Sequence, residues 1–85
     1  MEAIEVTVRF DGEGKAYPQQ FIWRGGVYAV TSTGRRWQEQ EGEQSWLHVL
    51  VMTVEMKTYE LVFHPQELRW YLEHRGANAK LALST

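Results

Sequence analysis

The alternation of apolar and polar residues divides the chain into short segments that are typical of β-strands. Residues 3–10, AIEVTVRF, carry an apolar side chain at every second position, which predicts a half-buried strand. Residues 11–18, DGEGKAYP, contain two glycines and Pro18 and therefore predict a loop. The next segment, PQQFIWRGGVYAV, has two apolar runs that are separated by glycines, which predicts a β-hairpin.

The turn of this hairpin is predicted at Gly25-Gly26, because glycine accepts the positive φ that a two-residue turn requires. Such a turn places Trp23 opposite Tyr28 and puts both side chains on one face of the sheet, together with Phe21 and Val30. A phosphate-binding loop would lead into a helix, whereas the residues that follow are β-branched and favour a strand.

A second hairpin is predicted at Glu41-Gly42, between a long strand over 27–40 and a strand over 45–56. Its register would place Trp37 directly opposite Trp46, and an aromatic pair of this kind stabilises a register. Gly34, inside the first of these strands, predicts a bulge or a bend. Residues 45–56 are apolar on both faces, which is typical of a strand buried between two layers.

The last third of the chain allows two interpretations. A tight turn at Lys57-Thr58 leads into a strand over 59–63, and residues 65–75 then form either a helix that starts at Pro65 or a return strand. The return strand would pair Phe63 with Trp70 and Leu61 with Leu72. Residues 1–76 are expected to form a single small β domain, and residues 77–85 a flexible tail.

These segments predict an all-β fold, a small antiparallel meander of five or six strands that curls into a barrel or a sandwich. In the predicted registers both faces of the sheet are apolar, and an open sheet cannot leave one of them in water. Either the sheet closes into a barrel that strand 4–10 partly covers, or a bulge at Gly34 exchanges the faces midway, or a second copy of the chain covers the second face. We expect a homodimer with Trp23 or Tyr28 at its centre, because even a closed barrel would leave part of this surface to cover. That face contains Phe21, Trp23, Tyr28, Val30, Leu47, Val49, Val51, Val62 and Tyr71.

Composition narrows the classes of function. The net charge of −2 argues against a strong nonspecific hold on DNA, and the lack of cysteine excludes disulfides and thiolate metal sites. There is no signal-peptide pattern and no apolar run long enough to cross a membrane, so we expect a cytoplasmic protein without membrane partners. The histidines, His48, His64 and His74, lack metal-ligand spacing, and neither a metal nor a cofactor is expected.

The sequence favours a noncatalytic protein. Ser32 and Ser45 lack the strand–turn–helix elbow of a nucleophile, and the glutamates near residue 41 lie at a hairpin tip in solvent. His48 alternates with core residues and is expected in the core or at its margin. The strongest functional indication is the excess of aromatic residues, four Trp, four Tyr and three Phe, next to arginines. Arginine among tryptophans can stack on bases and contact phosphates. The candidate binding residues are Trp23, Arg24, Tyr28, Arg35, Arg36 and Trp37.

These motifs resemble a family of small uncharacterised bacterial domains. The shared pattern is Pro-x-x-Phe-x-Trp-Arg-Gly and Tyr-x-Val within residues 18–30, then Trp37 and Trp46, and a late Trp-x-Leu within residues 59–73. Members occur alone or appended to polymerases of the translesion type. The resemblance favours the strand interpretation of residues 68–75, and it implies no catalytic residue. It also implies a link to DNA-damage tolerance, with a polymerase as a candidate protein partner.

The function that we expect is therefore a noncatalytic binding or interaction module that associates with itself. A single-stranded nucleic-acid binder that uses Arg35, Arg36, Trp37 and Trp23 is the alternative. A barrel that binds a small molecule, or a small hydrolase, is a third and less favoured class.

Overall fold

The structure is a computed structural model that describes residues 1–73. These residues form six antiparallel strands that close into a barrel in chain order. The prediction of an all-β antiparallel meander is confirmed. The strands are β1 Glu2–Phe10, β2 Ala16–Trp23, β3 Gly26–Glu41, β4 Gln44–Thr53, β5 Thr58–His64 and β6 Arg69–Glu73.

The interior of the barrel holds one hydrophobic core to which all six strands contribute. Its buried members come mainly from β2, β4, β5 and β6, and the partly buried side chains of β1 and β3 pack against them. Because side chains alternate along each strand, the remaining positions point to the outside of the barrel. The fully or largely buried core residues are Ala16, Phe21, Val49, Val51, Leu61, Trp70 and Leu72.

The loop between β1 and β2 is shorter than the sequence indicates, since β2 already begins at Ala16. Asp11 organises this loop, because its Oδ1 accepts hydrogen bonds from the backbone N–H groups of Glu13 and Lys15 at 2.8 and 2.9 Å. The bond from Lys15 is the main reason that the pKa of Asp11 is lowered. Pro18 fits inside a strand because it lies at a bulge opposite Val8, where β2 is not yet paired with β3.

The hairpin between β2 and β3 forms, but its turn is one residue earlier than predicted. Trp23 pairs with Gly26 and Phe21 with Tyr28, so the turn residues are Arg24 and Gly25, with φ of 50° and 80°. Positive φ at both positions matches the turn that suits the twist of a hairpin. Moving the turn by one residue changes the pairing of the strands by two positions. Because side chains alternate between faces, the aromatic side chains still share the face that was predicted.

The hairpin between β3 and β4 also turns one residue away from the prediction, at Gly42-Glu43, with φ of 61° at Gly42. Trp37 consequently lies opposite His48, and Trp46 lies opposite Glu39. The predicted pairing of Trp37 with Trp46 is wrong. The bulge predicted near Gly34 is confirmed by a register shift between Thr33 and Arg36, and a second shift lies between Val30 and Ser32.

The connection between β4 and β5 differs most from the prediction. Instead of a two-residue turn at Lys57-Thr58, three residues, 54–56, form the loop, and Met56 takes a positive φ of 65°. Compared with a two-residue turn, a loop of three residues places each side chain of the next strand on the opposite face of the sheet. Leu61 therefore shares the interior with Val49, and Val62 points outward.

The return strand after Pro65 is confirmed, and the helical interpretation of this segment is wrong over the described residues. Phe63 pairs with Trp70 and Leu61 with Leu72, as the sequence predicted. The barrel then closes where β6 pairs with the first residues of β1, from Glu2 opposite Leu72 to Ile4 opposite Trp70. His74 and the predicted tail, 77–85, lie outside the described residues.

Closure of the barrel also changes the argument for a homodimer. Seven of the nine side chains on the face that needed cover point into the barrel, where they are buried or partly buried. Only Val62 and Tyr71 point outward. The homodimer stays a prediction, but the surface that motivated it lies inside the barrel.

Candidate functional site

Polar and aromatic side chains gather on the outside of the barrel, over β3, β4 and β5. We call this group the outer cluster. The strand registers position it, since Trp37 lies opposite His48, Glu39 opposite Trp46, and Glu60 is placed diagonally to His48 across β4 and β5. The outer cluster consists of Trp37, Glu39, Trp46, His48, Glu60 and His64.

His48 is held at both nitrogens of its ring by carboxylates. Nδ1 makes a 2.7 Å hydrogen bond with Glu60 Oε2, and Nε2 lies 2.6 Å from Glu39 Oε1. The two carboxylates differ in their surroundings, because Glu60 is fully buried whereas the side chain of Glu39 is 58% exposed. The two contacts hold the imidazole ring in one orientation from both sides.

Two tryptophans cover the histidines of the outer cluster. Trp37 stacks on His48 with 5.0 Å between ring centroids and 10° between planes. Trp46 packs on His64 at 4.3 Å and contacts the edge of Tyr71 at 6.1 Å. The stacked rings cover part of His48 and His64, which are both buried although they lie on the outside of the barrel.

His64 has a weaker set of polar partners than His48. Its Nε2 donates to Oε1 of Gln44 at 3.1 Å, and its Nδ1 has no hydrogen-bond partner and lies 3.6 Å from Glu67. Glu67 instead accepts a hydrogen bond from the hydroxyl of Tyr71 at 3.1 Å, which is the main reason that the pKa of Tyr71 is raised.

A cavity of about 250 Å³ lies beside the outer cluster. Trp46, His48 and Val62 contribute aromatic and apolar surface to it. Carboxylates also line it, from Glu39 and Glu41 near the end of β3 and from Glu73 at the end of β6. Met1 and Gln40 complete the lining, so the recess combines a flat aromatic wall with acidic side chains.

The geometry restricts the chemistry that the outer cluster can perform. Among residues 1–73, no group of three or more histidine and acidic side chains is arranged to hold a metal ion. Glu39 and Glu60 bind opposite sides of the His48 ring, so the three groups cannot converge on one ion. A general base needs a ring nitrogen that is directed at a substrate, and here both nitrogens already face carboxylates.

Two of the residues that sequence reasoning proposed for binding belong to the core. Trp23 and Tyr28 pack with Phe21 and Tyr59 in a group of aromatic rings whose centroids lie 5.0 to 6.3 Å apart. Arg24 lies over the ring of Trp23 at 4.9 Å and pairs with Glu2 at 3.3 Å. These side chains stabilise the barrel near the turn between β2 and β3.

The remaining arginines are also engaged with aromatic rings. Arg35 lies 5.1 Å from the ring centroid of Trp37, whose ring is also stacked on His48. Arg36 lies 4.5 Å from the ring of Tyr17, donates two hydrogen bonds to the carbonyl of Ala16, and shares that ring with Arg9 at 4.6 Å. The structure therefore divides the predicted arginine–tryptophan face into separate, internally paired groups.

Sequence reasoning missed most of the outer cluster. It placed His48 at the core or its margin, but it assigned Glu39 to a solvated hairpin tip and gave Glu60 no role. The available signal was the apolar run from Trp46 to Met52, which only His48 interrupts, followed by Glu60 among the apolar residues of the next strand. Recognising the pair required the correct loop length between β4 and β5.

The fold and the outer cluster define the class as a small, closed, six-stranded antiparallel barrel with an aromatic and acidic recess on its outside. Comparison of the chain with protein-family models, with curated proteins and with solved structures finds no match. Residues 1–73 include no helix with the length and hydrophobicity that a membrane span requires.

Proposed function

We propose that this protein is a noncatalytic binding module that recognises a protein partner through the recess beside the outer cluster. The observation that carries the proposal is a preformed cavity whose wall residues are held in place before any ligand arrives. His48 is fixed by Glu39 and Glu60, and Trp46 is packed on His64 and Tyr71. Fixed aromatic side chains bind at low entropic cost, and aromatic anchors dominate protein interfaces.

The pairing of His48 supports binding rather than catalysis. A histidine that is hydrogen-bonded to a buried glutamate could orient a general base, but its other nitrogen would then have to face the substrate. Here that nitrogen faces Glu39, and Trp37 covers the ring. The histidine therefore acts as a rigid part of the wall.

Selection from a library of displayed random peptides, followed by chemical-shift mapping on the full chain, tests this function. We expect selected peptides to perturb the signals of Trp46, His48 and Val62. Trp46→Ala should abolish their binding, whereas Tyr17→Ala, which removes a distant aromatic side chain, should leave it unchanged. Failure to obtain any ligand at the recess, or ligands that map elsewhere, would contradict the proposal.

A single-stranded nucleic-acid binder receives less support from the geometry. Such proteins stack bases on open aromatic faces along a basic groove. The rings nearest the arginines, Trp37 and Tyr17, are already occupied by His48 and by guanidinium groups. Titration with a labelled oligonucleotide at two salt concentrations tests this alternative, since binding through phosphate contacts weakens steeply with salt.

The identity of the partner is a separate part of the proposal. The resemblance of the motifs makes a translesion-type polymerase, in the cytoplasm of a bacterium, a candidate. A second copy of this chain is another candidate, and light scattering across a dilution series measures that association directly. A mass near 10 kDa at every concentration would reject the homodimer.

A further inference from the structure

The barrel repeatedly pairs an aromatic ring with an arginine. Among residues 1–73 there are four such contacts, in which Arg24 lies over Trp23, Arg35 over Trp37, and Arg9 and Arg36 over Tyr17. The electron-rich face of an aromatic ring attracts a guanidinium group, and arginine is the cation that most often makes this contact. Trp46 takes part in none of these contacts, although it lines a cavity large enough for a side chain.

Two exposed carboxylates give this cavity groups that attract a cation. Glu39 and Glu41 line it from the same face of β3, and both side chains are exposed. Planar guanidinium groups match carboxylates through two parallel hydrogen bonds while their faces stack on aromatic rings.

We propose that the recess binds an arginine side chain of the partner, with its guanidinium stacked on Trp46 and hydrogen-bonded to Glu39 and Glu41. The inference rests on the proposed binding function and adds the chemistry of the ligand. The partner segment is therefore basic. An acidic or phosphorylated segment would be repelled by the carboxylates of the recess.

Titration of the full chain with two amino-acid derivatives, both with blocked termini, tests whether binding depends on the charge of the ligand side chain. The probes are Nα-acetyl-arginine methylamide and the corresponding citrulline derivative, which has nearly the same shape without the charge. The readout is the indole N–H signal of Trp46. We expect saturable shifts with the arginine probe in the millimolar range, at least tenfold weaker binding of citrulline, and weaker binding of arginine when salt is raised.

Matched variants locate the contact. Glu41→Gln should weaken the arginine probe by about two- to fivefold, as expected for one exposed charge pair. Glu43→Gln removes the same charge from the neighbouring hairpin turn, outside the recess, and should leave the affinity unchanged. Equal losses in both variants would indicate only a diffuse electrostatic effect and would overturn the proposed contact.

The remaining outcomes separate this inference from the proposed function. Equal affinity for arginine and citrulline at Trp46 would overturn the arginine assignment and would leave a binding recess in place. Shifts of the Trp46 signal on dilution, without any probe, would assign the recess to a second copy of the chain. If neither probe nor any selected peptide perturbs Trp46, both the recess and its ligand are rejected.

Discussion

At the scale of single residues, the most unusual feature is an imidazole between two carboxylates of unequal burial. Glu60 is fully buried and Glu39 is largely exposed, although both contact the same ring. A buried charge that loses its partner is strongly destabilised, whereas an exposed pair contributes little. The two glutamates therefore have the same chemistry but different energetic roles.

We predict that Glu60→Ala lowers the free energy of unfolding by about 3–5 kcal/mol, because it leaves His48 Nδ1 buried without a partner. Glu39→Ala should cost no more than about 1 kcal/mol. Urea denaturation of both variants measures the difference, and Glu60→Gln, whose amide oxygen can still accept the hydrogen bond, should lie between them. Equal losses for Glu60→Ala and Glu39→Ala would contradict the assigned roles.

A second prediction at this scale concerns the turn between β2 and β3. Because Gly25 has a φ of 80°, we expect Gly25→Ala to destabilise the protein by roughly 1–2 kcal/mol. Gly12→Ala is a matched control, since Gly12 has no positive φ and its added methyl group would meet no atom within 4 Å. A thermal melt compares them, and equal melting temperatures would argue against a strained turn. The sequence had assigned positive φ to Gly26, whose added Cβ would instead lie 3.1 Å from the Tyr28 ring.

At the scale of elements, the pattern of apolar and polar residues predicted the first five strands, whereas β6 was only one of two interpretations and the turns could not be placed to the residue. At Gly25 and Gly42 the error was one residue, which left the faces unchanged. At residues 54–56 the loop has three residues where a two-residue turn was predicted. The predicted faces of β5 and β6 were therefore reversed. This loop lacks glycine, so the chain gives no local sign of where φ becomes positive.

The same error concealed the candidate site. Glu60 reaches His48 only when β5 is paired as the three-residue loop dictates. With the predicted turn, Glu60 would lie on the opposite face of the sheet from His48. The sequence could therefore predict a binding module with aromatic anchors, but it could not predict which aromatic side chains remain available outside the core.

The three-residue loop gives a prediction of its own. Met56 has a φ of 65° and is 75% exposed, so Met56→Gly relieves backbone strain and removes little packing. We expect a gain of about 0.5–1 kcal/mol in the free energy of unfolding. Val54→Gly, in the same loop but without positive φ, should give no gain. A melting temperature that falls in Met56→Gly would show that the left-handed conformation carries no cost there.

At the scale of the whole molecule, the barrel depends on one short seam. Consecutive strands are joined by hairpins, but β1 and β6 must meet across the full length of the chain. Over the described residues, this pairing runs only from Glu2 opposite Leu72 to Ile4 opposite Trp70. The loss of chain entropy on closing a loop grows with the number of residues between the paired strands. The pairing of β1 with β6 therefore loses more chain entropy than any hairpin of the barrel.

We therefore predict that backbone amides of the seam exchange with solvent faster than those of the central strands. Hydrogen exchange followed by nuclear magnetic resonance should show opening at Ala3 and Ile4 well before Val49 and Leu61, which lie on paired strands within the core. Equal protection at the seam and in β4 would instead indicate that the barrel opens only by global unfolding.

The agreement between strand order and chain order also makes the barrel a candidate for circular permutation. Since the start of β1 and the end of β6 are neighbours, a short linker can join them, and the chain can be opened at Glu43 in the exposed turn after β3. Every strand would keep both neighbours. The β3–β4 pairing would then become the seam that joins distant parts of the chain. The outer cluster would be divided, with Trp37 and Glu39 near the new C-terminus and Trp46 and His48 near the new N-terminus.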